Sequence, residues 1–186
     1  MNKITLVKRM LYAMAFLSCG TLVYAQVAIG KGSVQNSSIS LEFGNENRGM
    51  VLPWVTSAGA VEGAVEGTVV YDLSDHKVKV KIASGWKDLS VDLTGTTIDP
   101  HNATVDLATI QNDVTTENTD AAVRIGTPTA TPGILVLEDA NKAMVLPRVA
   151  SPHLNIINPA PGMMVYDTVA KQLAVFNGTV WSFWKP

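Results

Sequence analysis

Few residues in the chain have the types and spacing that chemistry requires. The three histidines, His76, His101 and His153, are scattered, whereas a metal site needs two of them, or one with carboxylates, on a shared face. The one grouping of that kind is His101 with Asp99 and Asp106; otherwise the histidines read as solvated loop residues. Ser151-Pro152-His153 puts a serine near a histidine, but no Gly-x-Ser-x-Gly elbow or glycine-rich phosphate loop occurs. Glu42 and Glu138 have the side chains a glycosidase uses, in which two carboxylates must face each other. Their recurrence reads instead as one strand position occurring twice. Aspartates fall at 92, 99, 106, 113 and 120, yet seven-residue steps do not converge oxygens at the roughly 2.3–2.6 Å that calcium demands. Cys19 is the only cysteine. The expectation is a protein with no catalytic residue, no metal and no cofactor.

The aromatic side chains offer recognition rather than reaction. Trp54 and Trp184 are the candidate ligand-binding residues, because flat rings with polar edges suit stacking on sugars. Trp86 and Trp181 occupy matching places near hairpin ends and read as core plugs. Asn36-Ser37-Ser38, Asn102-Ala103-Thr104 and Asn177-Gly178-Thr179 fit the N-glycosylation pattern.

Charge narrows the partners. The chain has 14 basic and 16 acidic residues among 186, and the first 25 contribute Lys3, Lys8 and Arg9 with no acid. The rest carries a net charge of −5, which excludes phosphate neutralisation of nucleic acid as a general function and argues against an anionic-membrane surface helix. Residues 1–25 read as a signal peptide: a basic start, the apolar run Met10–Leu17, and Val23-Tyr24-Ala25 ahead of Gln26. Ser18, Cys19, Gly20 and Thr21 cut that run short of the roughly 20 residues of a spanning helix, so no transmembrane helix is expected in the mature chain. Secretion to the periplasm or cell surface follows, with lipid anchoring at Cys19 as the rival to cleavage after Ala25.

The elements that would position any site come in two copies. Val27-Ala28-Ile29-Gly30 matches Val123-Arg124-Ile125-Gly126, and Leu41-Glu42 matches Leu137-Glu138, both at an offset of 96. Met50-Val51-Leu52-Pro53 matches Met144-Val145-Leu146-Pro147 at 94, and Gly67, Val70, Tyr71 and Asp72 match Gly162, Val165, Tyr166 and Asp167 at 95. Such repetition divides the chain into residues 26–89, a connector 90–122, and residues 123–186. Within each copy the period is two. Lys77-Val78-Lys79-Val80-Lys81-Ile82 sets three lysines on a wet face and three apolar residues on a dry one. Asn177-Gly178 predicts a two-residue hairpin, with Ser84-Gly85 as its looser counterpart. The fold class expected is mainly β: two small antiparallel meander units joined by a Thr/Asp-rich connector, after a cleaved signal peptide. Pro53 and Pro147 cannot donate to a ladder, so their segments should be edge strands or arms. A 60-residue unit buries too little alone, and packing of unit on unit or chain on chain should follow. The connector lacks Lys, Arg and aromatic residues; Gly95 and Pro100 exclude a continuous coiled coil, and Leu107, Ile110 and Val114 are spaced for a short helix.

These motifs together resemble secreted bacterial surface proteins with tail-fibre-like or adhesin-like repeats, in which V-x-I-G, a Leu-Pro segment, G-x-x-V-Y-D and N-G-T-x-W follow one another. Here they are Val27–Gly30, Met50–Pro53, Gly67–Asp72, Gly162–Asp167 and Asn177–Trp181. The resemblance implies a non-enzymatic structural or adhesive surface subunit that self-associates, with a trimer favoured, or binds other surface proteins. The alternative is a glycan-binding module using Trp54 or Trp184. The first copy departs from the pattern, with Trp54 where the second has Arg148.

Overall fold

The computed structural model describes residues 26–91, 93–99, 102–112 and 121–185. The signal-peptide segment with Cys19, His101, and Asp92, Asp113 and Asp120 of the aspartate series lie outside the described residues. The fold is mainly β. Strands β1 (Val27–Ile29) and β2 (Ile39–Phe43) pair in parallel, with Val27 opposite Leu41. After β3 (Met50–Val51) and β4 (Trp54–Val55), the strands β5 (Val69–Asp72), β6 (Lys77–Ile82) and β7 (Gly85–Asp88) form an antiparallel meander. β8 (Ile98–Asp99), β9 (Asn102–Asp106) and helix α1 (Leu107–Asn112) follow. The helix includes Leu107 and Ile110 of the expected stripe, whereas Val114 lies outside the described residues; the described part of the connector also has a hairpin of its own.

The second half repeats the order. β10 (Val123–Gly126) and β11 (Leu135–Glu138) are parallel, followed by β12 (Ala143–Val145), β13 (Arg148–Val149) and helix α2 (Pro152–Asn155). β14 (Met163–Asp167), β15 (Gln172–Phe176) and β16 (Trp181–Trp184) make the second meander. Trp54 lies opposite Tyr71 in a parallel bridge, and Arg148 lies opposite Tyr166 in the same way. Both first hairpins close through a residue at positive φ, His76 at 56° and Lys171 at 59°. In β1–β2 the first valine faces Leu41, whereas in β10–β11 it faces Leu135, a slip of two residues relative to the sequence match. An even slip keeps every side chain on its original face.

The proline segments behave as arms, and they cross over. β3 leaves the first half to pair antiparallel with β14, setting Met50 against Met164 and Val51 against Met163. β12 leaves the second half to pair in parallel with β2, setting Met144 against Leu41 and Val145 against Glu42. Both prolines, lacking an N–H, still accept through their carbonyls, Pro53 from Tyr71 and Pro147 from Tyr166 at 2.9 Å each.

Period-two alternation decides where the core sits. Tyr71 and Val78 of the first meander meet Met164 and Val175 of the second, with Leu52 between them, to form the principal core. The opposite face of the second meander carries Met163, Val165 and Ala174 under Val149 and Ile156. On the matching face of the first meander, Lys77, Lys79 and Lys81 stand where Gln172, Ala174 and Phe176 stand in the second. One outer face is therefore charged and the other apolar. The lysine face is not simply wet, because the Lys79 side chain is only 13% exposed and pairs with Asp72 and Asp75. Trp181 packs on Phe176 at 5.3 Å in the second core, whereas Trp86 lies half-buried under Lys81.

The hairpin expectation is reversed. Asn177-Gly178 does not form a two-residue turn: Phe176 pairs with Trp181 across a four-residue loop. The tight connection is in the first half, where Ile82 pairs with Gly85 across Ala83-Ser84. Asn177 is fully buried and engaged elsewhere. Its Nδ2 donates to Leu93 C=O at 2.7 Å, and its Oδ1 accepts from the N–H groups of Thr179 and Val180. The same burial removes Asn177 as a glycosylation acceptor.

Candidate functional site

The four acids that the repeat carries have structural assignments. Asp72 ends β5 and accepts the Ala58 N–H on Oδ2, and the Ser74 N–H and hydroxyl on Oδ1. Its twin Asp167 ends β14 and gathers the N–H groups of Ser151, Val169 and Ala170, all on Oδ1. Each aspartate thereby ties its own turn to the loop that follows β4 or β13. Burial raises the Asp72 carboxyl, but the Ser74 hydroxyl, the Ala58 N–H and the Lys79 ammonium outweigh it and bring the pKa to about 2. Burial likewise raises Asp167, and the Ala170, Val169 and Ser151 N–H groups more than offset it.

Glu42 and Glu138 cap the loops inside the parallel pairs. Glu42 accepts the Gln35 N–H at 2.7 Å and pairs with Lys31, also at 2.7 Å. Glu138 accepts the Thr129 N–H and hydroxyl and pairs with Arg124. The Lys31 contact chiefly lowers Glu42, and the Thr129 hydroxyl chiefly lowers Glu138. Held ionised and already bonded, neither is suited to donate a proton to a leaving group, as glycoside cleavage requires. No cluster of three or more His, Cys, Asp and Glu residues able to hold a metal exists among the described residues. His153 lies edge-on to Phe183 at 5.8 Å, and His76 lies 6.4 Å from Tyr71.

The two candidate tryptophans lie at contacts between the halves. Trp54 donates its indole N–H to Pro161 C=O at 2.9 Å and packs on Tyr71 at 5.6 Å. Trp184 donates to Leu89 C=O at 2.6 Å, with the Lys87 ammonium 5.0 Å from its ring centre. Both are half-buried. Beside them, Tyr71 is completely buried and donates its hydroxyl to Asn177 C=O at 2.8 Å. That carbonyl also accepts the Thr96 N–H, so a connector segment is fastened between the meanders. Burial pushes the Tyr71 phenol up, and Asp75 and Asp106 add to the rise. This buried knot of Tyr71, Asn177 and Thr96 escaped the sequence reading. Its only signal was that Tyr71 and Asn177 belong to motifs already noted.

An open groove of about 520 Å³ runs along the crossover of β12 onto β2, with Met144 and Ile39 as its apolar floor and Gln35, Arg148 and Tyr166 on its rim. Elsewhere the molecule presents strand edges. Among the described residues, β11 pairs only with β10, whereas its counterpart β2 is flanked on both sides by β1 and β12. On the edge away from β6, the start of β5 has no described strand beside Val69, where its counterpart β14 receives β3 at Met163–Met164. Leu135 on β11 is 43% exposed, and Val51 on β3 is 44% exposed.

The two meanders pack on each other, and some strand edges lie beside no described strand. Residues 124–185, about a third of the chain, match the family described as "Phage tail like trimerisation region". That portion is similar to a phage tail-like trimerisation region, in keeping with the expected resemblance to tail-fibre-like proteins. No match to the chain was found among curated proteins or solved structures. Among the described residues no helix is long and apolar enough to cross a membrane.

Proposed function

We propose that this protein is a non-enzymatic, exported structural subunit of tail-fibre-like type that works as a trimer at the cell surface. The observation that carries the reading is the match of residues 124–185 to a trimerisation region. The commitment of Asp72, Asp167, Glu42 and Glu138 to loop capping agrees with it. On this reading residues 26–89 and 123–186 are two copies of one building block, and residues 1–25 are the export signal. The shared order of β4 to β7 and β13 to β16 supports the first statement.

The test is light scattering coupled to size exclusion on the exported, processed protein. A mass three times that of the protomer at micromolar concentration is expected. A monomer that persists up to the solubility limit would end the proposal.

A further inference from the structure

Each crossing arm has two edges, and the chain uses one of each. β3 turns one edge to β14: Leu52 N–H donates to Gly162 C=O at 3.0 Å, and Met50 lies opposite Met164. Alternation along a strand then points the N–H and C=O of Val51 away from β14, where no described strand lies. β12, the counterpart of β3, has β2 on one edge and none on the other. β11 lacks the arm that β2 holds. On β5, Tyr71 N–H reaches Pro53 C=O, so the Val69 groups two residues earlier face the same border with nothing opposite. These four vacancies are complementary: two arms lack a second sheet, and two sheets lack an arm.

We infer that copies of this chain join head to tail by strand addition. β11 of one copy takes β3 of the next, while β12 of the first covers the Thr68–Val69 border of β5 in the second. The inference rests on the trimer reading and assigns its interface. The partner is a second copy because the chain already contains the identical contacts, with β12 seated on β2 and β3 seated on β14. Translating those contacts by the sequence offsets, leaving aside the two-residue slip within β10–β11, gives the register of the joint. Met50 falls opposite Leu137 and Val51 opposite Glu138 in the parallel pair, and Val145 falls opposite Thr68 and Met144 opposite Val69 in the antiparallel pair. Exposed Val51 then gains a strand on its free edge. The contact is heterologous, so it either closes into a ring or propagates, and closure at three copies satisfies every border.

Opposed side chains at a non-hydrogen-bonded antiparallel position have Cα atoms about 4.5 Å apart, within disulfide range. Thr68 and Val145 form such a position, because their in-chain counterparts Met163 and Val51 lie next to the bonded pair Met164 and Met50. The experiment uses the full chain with Cys19→Ser, carrying either Thr68→Cys or Val145→Cys, oxidised singly and mixed. The mixture should yield a linked pair containing one chain of each kind, which neither parent yields alone. Both changes in one chain should yield covalently closed trimers, and a ladder would uphold head-to-tail joining while refuting the trimer. Light scattering is run on the same samples. A trimer without the mixed link, or with 68–68 or 145–145 links, overturns this inference and leaves the trimer standing; a monomer overturns both. As a second variant, Val69→Pro removes an edge N–H that no in-chain pair uses. It should abolish assembly with the far-ultraviolet circular dichroism unchanged, and unimpaired assembly would count against the inference.

Discussion

Asp72 and Asp167 each end the first strand of a meander, yet replacing each by asparagine should have unequal consequences. At Asp167 the three N–H groups converge on Oδ1, so an asparagine oxygen in that place keeps all three and loses only their charge assistance, about 1 kcal/mol. At Asp72 the donors are divided: Ala58 and Lys79 use Oδ2, and Ser74 uses Oδ1. An asparagine must aim its NH2 at one of these sets, setting donor against donor in a buried site. Lys79 also loses one of its two carboxylates. Together these cost about 3 kcal/mol. The difference should narrow in acid. The Asp72 carboxyl is lowered from 3.8 to about 2, so its charge contributes stability above the unfolded pKa, and that contribution is lost as pH falls through the folded one. Urea unfolding followed by tryptophan fluorescence, at fixed protein concentration because assembly adds to stability, measures both effects. Asp167→Asn costing as much as Asp72→Asn near neutral pH, or an Asp72→Asn penalty unchanged between about pH 4 and about pH 2, would refute the reasoning.

Three further outcomes are expected. Tyr71→Phe should lower stability by about 1 kcal/mol in the same urea assay, since Asn177 C=O keeps its Thr96 partner. Gly178→Ala should cost more than Gly67→Ala: both have positive φ, but a Cβ at 178 would collide with the Thr96 carbonyl whereas one at 67 meets nothing within 4 Å. Equal losses in thermal melts would contradict this. Mass spectrometry of the mature protein should find Gln26 at the N-terminus, and a lipidated Cys19 would overturn the expected cleavage after Ala25.

Local rules made part of this architecture legible. Alternation in Lys77–Ile82 gives β6, and the proline segments give arms, because both depend on neighbours in sequence. The destinations of those arms were not legible, since β3 finds β14 more than a hundred residues away and nothing in Met50–Val51 names that partner. Parallel pairing of β1 with β2 escaped for a similar reason: the loop between them is ordered by Glu42 binding Gln35 N–H and Lys31, a tertiary device. Asn177-Gly178 misled because hairpin propensity was overridden by a buried side chain reaching Leu93, and by Thr96 lying against Gly178. In sequence the glutamates read as one strand position occurring twice. What that position does, capping a loop while ionised, became visible only with the side chains in place.

The exchange of β3 and β12 bears on how the chain can be made. Vectorial synthesis delivers Met50–Val51 long before Met163–Met164 emerges from the ribosome, and β2 long before Ala143–Val145 reaches it. The first meander cannot acquire its apolar cover of Met164 and Val175 until those residues have been synthesised. A nascent chain that stops short of those residues leaves the apolar faces of Tyr71 and Val78 without that cover.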